Sequence, residues 1–353
     1  MKKLIICDTH YQFITAIQMR LTIFNNDIVD IWISDHSLGA KKIAENTDKL
    51  KIFNSVQFIN TKKKSYSQNS VNNIFDIIKN NFGHIILKEI PFYDEVVFYG
   101  LDLLIISIAD FYNSKNHETT WSRFEEGIFS YDTDFSYGKR VQLSNKIRRI
   151  TGRPIVDNLI KNYYCFYPEL KELHLEWNLI QIPSIYTTRE VLCKLLKSIY
   201  QCTEMNILQK YIFFASSSDI DGTPYGETDL VLKIADKIGY ENILIKMHPR
   251  DSRNVYEKSG ISVMKESSIP WEVIYLVSDF SDKIMLTVNS GAFISISALD
   301  NASLKGIFLF NIVETNDHVF KERAKNIENM VHKLQKIGLC GCIEIAQSKE
   351  KMS

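Results

Sequence analysis

The stretch Ile243–Arg250, ILIKMHPR, decides how the rest of the chain is interpreted. Its three leading apolar residues are followed by polar sequence, a pattern that predicts a short buried strand. Because Pro249 lacks an amide donor and disfavours helix at the residue before it, the strand is expected to end at His248. An extended chain directs the side chains of Lys246 and His248 to the same side. Two cationic donors at the carboxyl end of a strand suit an anionic ligand, although a strand that simply ends in polar residues would look the same.

The composition predicts a folded, electrically balanced protein. Its 353 residues exceed one ordinary core and favour two domains, and 45% hydrophobic with 24% charged residues is typical of a globular chain. The 42 basic and 42 acidic residues cancel, which argues against nucleic acid as the main partner.

No apolar run is long enough to span a membrane, and the start, MKKLIICDTHYQ, is too short for a signal peptide and predicts a first strand. The six cysteines lack the spacing of a disulfide framework or a zinc site. We therefore expect reduced thiols in a cytoplasmic protein.

Short apolar runs alternate with amphipathic stretches in both halves of the chain. This alternation predicts an α/β fold with parallel, doubly wound sheets. The expected domains are residues 1–185 and 186–337, followed by a tail at 338–353, with residues 163–185 as a packed connector. Predicted strands lie at 3–7, 28–33, 56–59, 85–88, 95–99 and 119–124, and then at 211–215, 243–248, 261–264, 283–288 and 307–310.

Acidic residues follow the last predicted strand of the first half. Glu125 and Glu126 precede Gly127, whose freedom permits a tight turn and leaves the two carboxylates at the strand end. Such a pair is either solvated charge or a general base at the carboxyl edge of the sheet. Glu227, placed in a loop after the first strand of the second half, is a reserve candidate for that base.

A second polar group follows the predicted strand 283–288. Asn289 and Ser290 are both preferred helix caps, and the exposed amides around Gly291 together with the helix dipole would suit a phosphate. Capping alone explains these residues equally well. If both strand ends lie at the ligand edge, Lys246, His248 and Ser290 can converge on one phosphate.

Three further segments also have two interpretations. Glu272, in the first turn of a helix opened by Pro270, either compensates the helix dipole or accepts hydrogen bonds from a ribose. The basic residues of 139–153 predict an exposed helix or contact with a phosphate-bearing or membrane-held acceptor. Asp132-Thr133-Asp134 resembles a metal-binding triplet but has no second ligand nearby, so we interpret it as solvated.

The order of these motifs resembles the bacterial sialyltransferases. An acidic pair before glycine, then His-Pro and a later serine, is most similar to glycosyltransferase family 52 and its relatives the polysialyltransferases. The likeness extends over nearly the whole chain, from the strand before Thr9-His10-Tyr11-Gln12 onward. It implies a GT-B fold, with two Rossmann-like domains facing across a cleft, and CMP-sialic acid as a donor used without a metal or other cofactor.

The resemblance also implies roles for individual residues. Glu125 would be the base and His248 would contact the phosphate of CMP, but both acids are Glu, which leaves open whether Glu125 or Glu126 takes the proton. Asn289-Ser290 stands where relatives often have paired serines. The implied donor-binding residues are Lys246, Pro249, Glu272, Asn289, Ser290 and Gly291.

The resulting expectation is an inverting sialyltransferase. It would move sialic acid from CMP-sialic acid to a hydroxyl, expected on galactose, of an oligosaccharide in a bacterial capsule or lipooligosaccharide. A lipid-linked acceptor, peripheral contact with the inner face of the membrane and a homodimer remain open. The alternatives are a GT-B transferase that uses CMP-Kdo or a UDP-sugar, and a non-catalytic nucleotide-sugar-binding protein.

Overall fold

The computed structural model describes residues 1–61, 90–131, 139–171, 177–216, 225–248, 251, 253–264, 269–300 and 304–347. The chain divides into two compact units, Met1–Pro183 (the first unit) and Ser184–Ser353 (the second unit). The division falls two residues before the boundary expected from the sequence.

The first unit is a parallel sheet with helices between its strands, and the sheet order is β3-β2-β1-β4-β5-β6-β7. Its strands are Lys2–Cys7 (β1), Ile28–Ser34 (β2), Ser55–Ile59 (β3), Glu95–Phe98 (β4), Thr120–Phe124 (β5), Ile160–Cys165 (β6) and Asn178–Gln181 (β7). Its described helices are His10–Leu21 (α1), Ala40–Leu50 (α2), Leu103–Ser114 (α3) and Lys139–Ile150 (α4).

The second unit repeats this arrangement with the order β10-β9-β8-β11-β12-β13. Its strands are Tyr211–Phe214 (β8), Ile243–Lys246 (β9), Ser262–Val263 (β10), Ile284–Thr287 (β11), Lys305–Phe308 (β12) and Ile343–Ile345 (β13). Its described helices are Arg189–Tyr200 (α5), Glu227–Ile238 (α6), Val255–Lys258 (α7), Trp271–Val277 (α8), Ala292–Asp300 (α9) and His318–Lys336 (α10).

Both sheets follow the Rossmann strand order, and the predicted doubly wound α/β class is confirmed. In each unit the chain crosses from one side of the first strand to the other, between β1 and β4 and between β8 and β11. Ligands of such sheets bind outside the carboxyl ends of the strands at this switch point. The residues that follow these strands therefore lie where a ligand of this fold would bind.

The central strands are buried on both faces, which explains why their sequences are continuous apolar runs. In β1, Leu4, Ile5 and Ile6 are buried, and in β9 all four residues are buried. Leu4 and Ile6 pack in one apolar cluster with residues of β4 and α3. This core fixes the strand ends from which the polar side chains project.

Two expectations about chain organisation are wrong. Residues 163–185 are not a connector, because they contain the end of β6 and all of β7, which pair in parallel. Tyr163 and Cys165 are fully buried, and periodicity does not separate such a strand from other buried apolar sequence. Residues 338–353 are not only a tail, because Ile343–Ile345 pairs with β12 and extends the second sheet.

The basic segment is only partly the exposed helix that was expected. In α4 the side chain of Arg148 is buried and forms an ion pair with Asp110 of α3, which also binds Arg153 at 3.1 Å. The pairing removes part of the positive charge from the surface. The strand predicted at 85–88 and the triplet Asp132-Thr133-Asp134 lie outside the described residues. Across the described ranges, no helix is both long and apolar enough to cross a membrane.

Candidate functional site

Glu125 lies directly after β5, at the carboxyl edge of the first sheet, and is 1% exposed. Its Oε1 accepts a hydrogen bond of 2.5 Å from the hydroxyl of Tyr11. Its Oε2 accepts a hydrogen bond from the hydroxyl of Tyr131 and another, of 2.9 Å, from the backbone amide of Phe166. Burial raises the pKa of Glu125 to about 7, against the lowering effect of these three donors. The group can therefore change its protonation state near neutral pH.

The turn that presents this carboxyl is the one expected from the sequence. Gly127 has a positive φ of 80°, a conformation that favours glycine. The chain then forms a short 3-10 helix, Ile128–Tyr131, which brings Tyr131 back to the carboxylate.

Glu126 has a more open environment than its neighbour. Its side chain is half-buried, and burial raises its pKa while hydrogen bonds from Thr9 and Gln12 oppose the shift. The nearby charge of Asp8 raises the pKa further. Both acids thus lie at the carboxyl edge of the first sheet (the first-unit edge). Glu125 is enclosed by hydrogen-bond donors, whereas Glu126 faces the residues that follow β1.

Other titratable groups gather at the switch point of the first sheet. The Oδ1 atom of Asp8 accepts a 2.6 Å hydrogen bond from Ser34 and lies 3.3 Å from Nδ1 of His36. Asp102 caps α3 through Ile105, and burial raises its pKa to about 6, with Asp8 adding to the shift. These groups give the first-unit edge a strongly acidic, hydrogen-bonding character.

Lys246 is the last residue of β9 and lies at the carboxyl edge of the second sheet. It is 7% exposed, and burial lowers its pKa while the charge of Glu272 opposes that shift. Glu272 lies in the first turn of α8, where burial raises its pKa and Lys246 opposes the rise. The charges of these two predicted donor-binding residues therefore influence each other at this edge.

Ser290 and its neighbours lie at the same edge. Phe214, the last residue of the central strand β8, pairs with Lys246 on one side and with Thr287 on the other. Neighbouring strands are spaced by about 4.8 Å, which puts the backbones of Lys246 and Thr287 roughly 10 Å apart. The Oγ1 atom of Thr287 accepts a 3.0 Å hydrogen bond from the amide of Ser290, whose Oγ accepts one from the amide of Ala292 at 3.4 Å. Lys246 and Ser290 are thus brought to the two sides of one strand end.

Asn289 and Gly291 complete this turn between β11 and α9. Asn289 is 5% exposed, and its Oδ1 finds no hydrogen-bond partner within the described part of the chain. The carbonyl of Gly291 accepts from the amide of Ile294 at 3.1 Å and so begins α9. The buried amide oxygen is a group that a bound hydroxyl or amine could satisfy.

The strand β9 ends at Lys246, two residues before the end expected at His248. His248 is half-buried, and its carbonyl accepts a 2.8 Å hydrogen bond from the amide of Asp251. Its charge contributes to lowering the pKa of Asp251, whose main partner is Arg253. Pro249 lies outside the described residues.

Glu227 is not in a loop, as the sequence suggested, but is the first residue of α6. It is buried, accepts a 2.8 Å hydrogen bond from the amide of Ser216, and lies 2.8 Å from the hydroxyl of Tyr225. These contacts hold the chain that follows β8. Glu227 therefore belongs to the carboxyl edge of the second sheet (the second-unit edge), whereas Glu125 follows a strand of the first sheet.

The partners of the predicted residues escaped sequence reasoning. The sequence suggested no role for Tyr11 and Tyr131, which bind Glu125, or for Thr287, which binds Ser290. Tyr11 does lie within the stretch Thr9-His10-Tyr11-Gln12 that the resemblance includes. The one available signal was that Tyr11 closely follows a strand that ends at the ligand edge. Among the residues that the structure describes, no group of three or more His, Cys, Asp or Glu side chains has the arrangement of a metal site.

Comparison with known proteins identifies the fold. No protein-family model matches the chain, and no curated protein sequence matches it significantly. The UDP-GlcNAc 2-epimerase from Methanocaldococcus jannaschii is 14% identical with a TM-score of 0.54, over 100% of this chain and 90% of that one. The glycotransferase of kitacinnamycin is 9% identical with a TM-score of 0.50, over 98% of this chain and 86% of that one.

The α/β-galactoside α-2,3-sialyltransferase from Photobacterium phosphoreum is also similar, at 14% identity over 98% of both chains. The TM-score of that comparison is 0.48. The chain thus has the GT-B type of fold, which epimerases and glycosyltransferases of sugar nucleotides share. This likeness does not distinguish between those activities.

Proposed function

We propose that the protein is an inverting glycosyltransferase that moves sialic acid from CMP-sialic acid to a sugar hydroxyl, expected on galactose. The observation that carries the proposal is Glu125, a buried carboxyl at the edge of a Rossmann-like sheet whose pKa is raised to about 7. A general base works best when its pKa lies near the working pH. The motif order shared with the bacterial sialyltransferases supports the choice of donor.

The chemistry assigns a separate task to each unit. An acceptor hydroxyl attacks the anomeric carbon of sialic acid as the bond to the phosphate of CMP breaks, through an oxocarbenium-like state. Glu125 accepts the proton that the hydroxyl loses. The departing phosphate gains negative charge, which Lys246, His248 and the amides at the start of α9 would stabilise.

The rest of the second-unit edge would hold the nucleoside. Glu272, coupled to Lys246, would accept hydrogen bonds from the ribose or the cytosine. The buried Oδ1 of Asn289 offers one more acceptor to a donor group of the ligand. Because CMP leaves with a single phosphate, the reaction requires no divalent ion to bridge two phosphates.

A sugar-nucleotide epimerase is the second candidate, because a UDP-GlcNAc 2-epimerase is the structural relative with the TM-score of 0.54. In that case UDP-GlcNAc alone would be converted, and no acceptor would be needed. CMP-Kdo or a UDP-sugar as donor of a transferase, and binding without turnover, are the remaining alternatives.

One assay separates these functions. Purified protein is incubated with CMP-sialic acid, CMP-Kdo or UDP-GlcNAc, each with and without a galactose-terminated oligosaccharide, and the nucleotide and sugar products are quantified. We expect CMP to be released from CMP-sialic acid only when the acceptor is present, and we expect this activity to persist in EDTA. Loss of activity on chelation that magnesium or manganese restores would favour a UDP-sugar. Epimerised UDP-GlcNAc, or tight CMP binding without turnover, would contradict the proposal.

A further inference from the structure

The carboxylate of Glu125 is closed to a substrate by its own hydrogen bonds. It is 1% exposed, Oε1 accepts from Tyr11, and Oε2 accepts from Tyr131 and from the amide of Phe166. An acceptor sugar could reach either oxygen directly only after a donor has moved away. The proton therefore needs a route through one of the two hydroxyls.

The two tyrosines differ in their access to the edge of the sheet. Tyr131 is 2% exposed, and its hydroxyl oxygen also accepts a 2.9 Å hydrogen bond from the amide of Tyr167. Tyr11 lies in the first turn of α1, immediately beyond the carboxyl end of β1, and is only half-buried. It donates to Oε1 over 2.5 Å, a short hydrogen bond of the charge-assisted kind.

We infer that Tyr11 is a catalytic residue that relays the proton of the acceptor hydroxyl to Glu125, an inference that rests on the proposed function. As the acceptor oxygen bonds to the anomeric carbon, its proton passes to the hydroxyl oxygen of Tyr11, and Tyr11 gives its own proton to Oε1 of Glu125. The electron pair of the broken bond leaves on the phosphate of CMP. Tyr11 ends the step neutral, and Glu125 ends it protonated.

The relay also explains how a phenol can take part near neutral pH. A tyrosine with an ordinary pKa of about 10 is a poor base by itself at pH 7. In a concerted relay it is never an anion, because it loses one proton as it gains another. The final acceptor is Glu125, because a pKa of about 7 keeps a substantial share of this group as the carboxylate near neutral pH, whereas a tyrosine is protonated there.

Two matched variants test the relay. Tyr11→Phe and Tyr131→Phe each delete one hydroxyl that donates to the same carboxylate. Tyr11→Phe should lower kcat by about 10²–10³, as expected for a lost proton-transfer group, with the KM for the donor little changed. Tyr131→Phe should lower kcat by less than about tenfold, because it alters only the environment of the base. Equal rates for Tyr11→Phe and the parent would overturn the relay.

A solvent-isotope measurement on the parent adds a test that does not depend on a variant folding. When kcat is followed through mixtures of H2O and D2O, two protons moving together give a curved dependence, and a single proton gives a straight line. If the relay operates, the dependence of kcat on the D2O fraction should be curved for the parent and for Tyr131→Phe. It should be a straight line for any residual activity of Tyr11→Phe. The absence of a burst in the time course shows that the chemical step limits kcat. Under that condition, a straight line for the parent would contradict the relay. A parent that releases no nucleotide from any donor refutes the proposed function itself, whereas an active parent matched by Tyr11→Phe refutes the relay alone.

Discussion

The two sheets have the same strand order, but the edges at the carboxyl ends of their strands carry different charged groups. The first-unit edge gathers carboxyl groups, among them Glu125 with a pKa of about 7 and Asp102 with a pKa of about 6. The second-unit edge has a buried lysine, Lys246, beside the amides that open α9. In both units burial is the largest cause of these pKa shifts: it raises the pKa of Glu125 in the first unit, and in the second it lowers the pKa of Lys246 and raises that of Glu272.

The difference teaches how one architecture can divide a transfer reaction. Parallel strands present whatever follows them at one edge, so a few residues after each strand set the chemistry. An edge rich in acids can accept a proton, and an edge with a lysine and the start of a helix can bind a phosphate. Variants at each edge should therefore show whether that edge carries only its own task.

The largest effect is expected at the acidic edge. Glu125→Gln keeps the size and the hydrogen-bonding capacity of the side chain but cannot take a proton, so kcat should fall by about 10²–10⁴. Calorimetry should give a CMP affinity close to that of the parent, because the proposed nucleotide site lies at the other edge.

Glu126→Gln is the matched control for that change, since it alters the neighbouring, half-buried acid. It should be much milder. The reverse result would exchange the roles of the two glutamates, and full activity in both variants would place the base elsewhere.

The next effect is expected at the cationic edge. His248→Ala should lower kcat by about 10²–10³, the usual consequence of losing one donor to a developing anion. Because His248 is half-buried beyond the end of β9, its truncation should leave the melting temperature nearly unchanged. Sugar transfer at the parental rate by a folded variant would remove His248 from the site.

A smaller effect is expected when lysines at the two opposite edges of the second sheet are replaced. Lys246 and Lys283 are each 7% exposed, but Lys246 ends β9 whereas Lys283 precedes β11 at the opposite edge. Lys246→Met should weaken CMP binding by about 10- to 100-fold, the effect of losing a charge-assisted hydrogen bond. Lys283→Met should leave the calorimetric affinity unchanged. Equal losses in both variants would indicate a general effect of lysine removal.

The last effect concerns stability. Burial raises the pKa of Glu125 from its ordinary value of 4.5 to about 7, so the folded state retains a proton that the unfolded chain releases between those values. The contribution of protonated Glu125 to the free energy of unfolding is therefore complete below pH 4.5 and is lost as the pH rises to about 7. Relative to Glu125→Gln, the parent should lose up to about 1.4 kcal/mol of unfolding free energy per pH unit in this window.

Denaturant unfolding of both proteins at several pH values measures this difference. A parent that gains stability relative to the variant as the pH rises would show that the folded pKa of Glu125 is lowered, and would weaken its assignment as the base.

Local sequence was sufficient for the parts of the molecule that depend on chain neighbours. Runs of apolar residues placed β1, β9 and β11 because a buried parallel strand needs apolar side chains on both faces. Glycine after the acidic pair predicted the turn at Gly127, since a positive φ favours that residue. The same reasoning put Glu125 and Ser290 at strand ends.

Only the tertiary structure decided which distant side chains meet. Tyr11 reaches Glu125 across 114 positions, and Arg148 pairs with Asp110 across 38, because the strand order and the packing of helices bring those elements together. The sequence also could not show that Ile343–Ile345 joins the second sheet, since a three-residue strand is defined by its partner β12. Burial of Glu125, and with it a pKa near neutrality, arises because residues of three separate segments, Tyr11, Tyr131 and Phe166, close around one carboxylate, which no local pattern encodes.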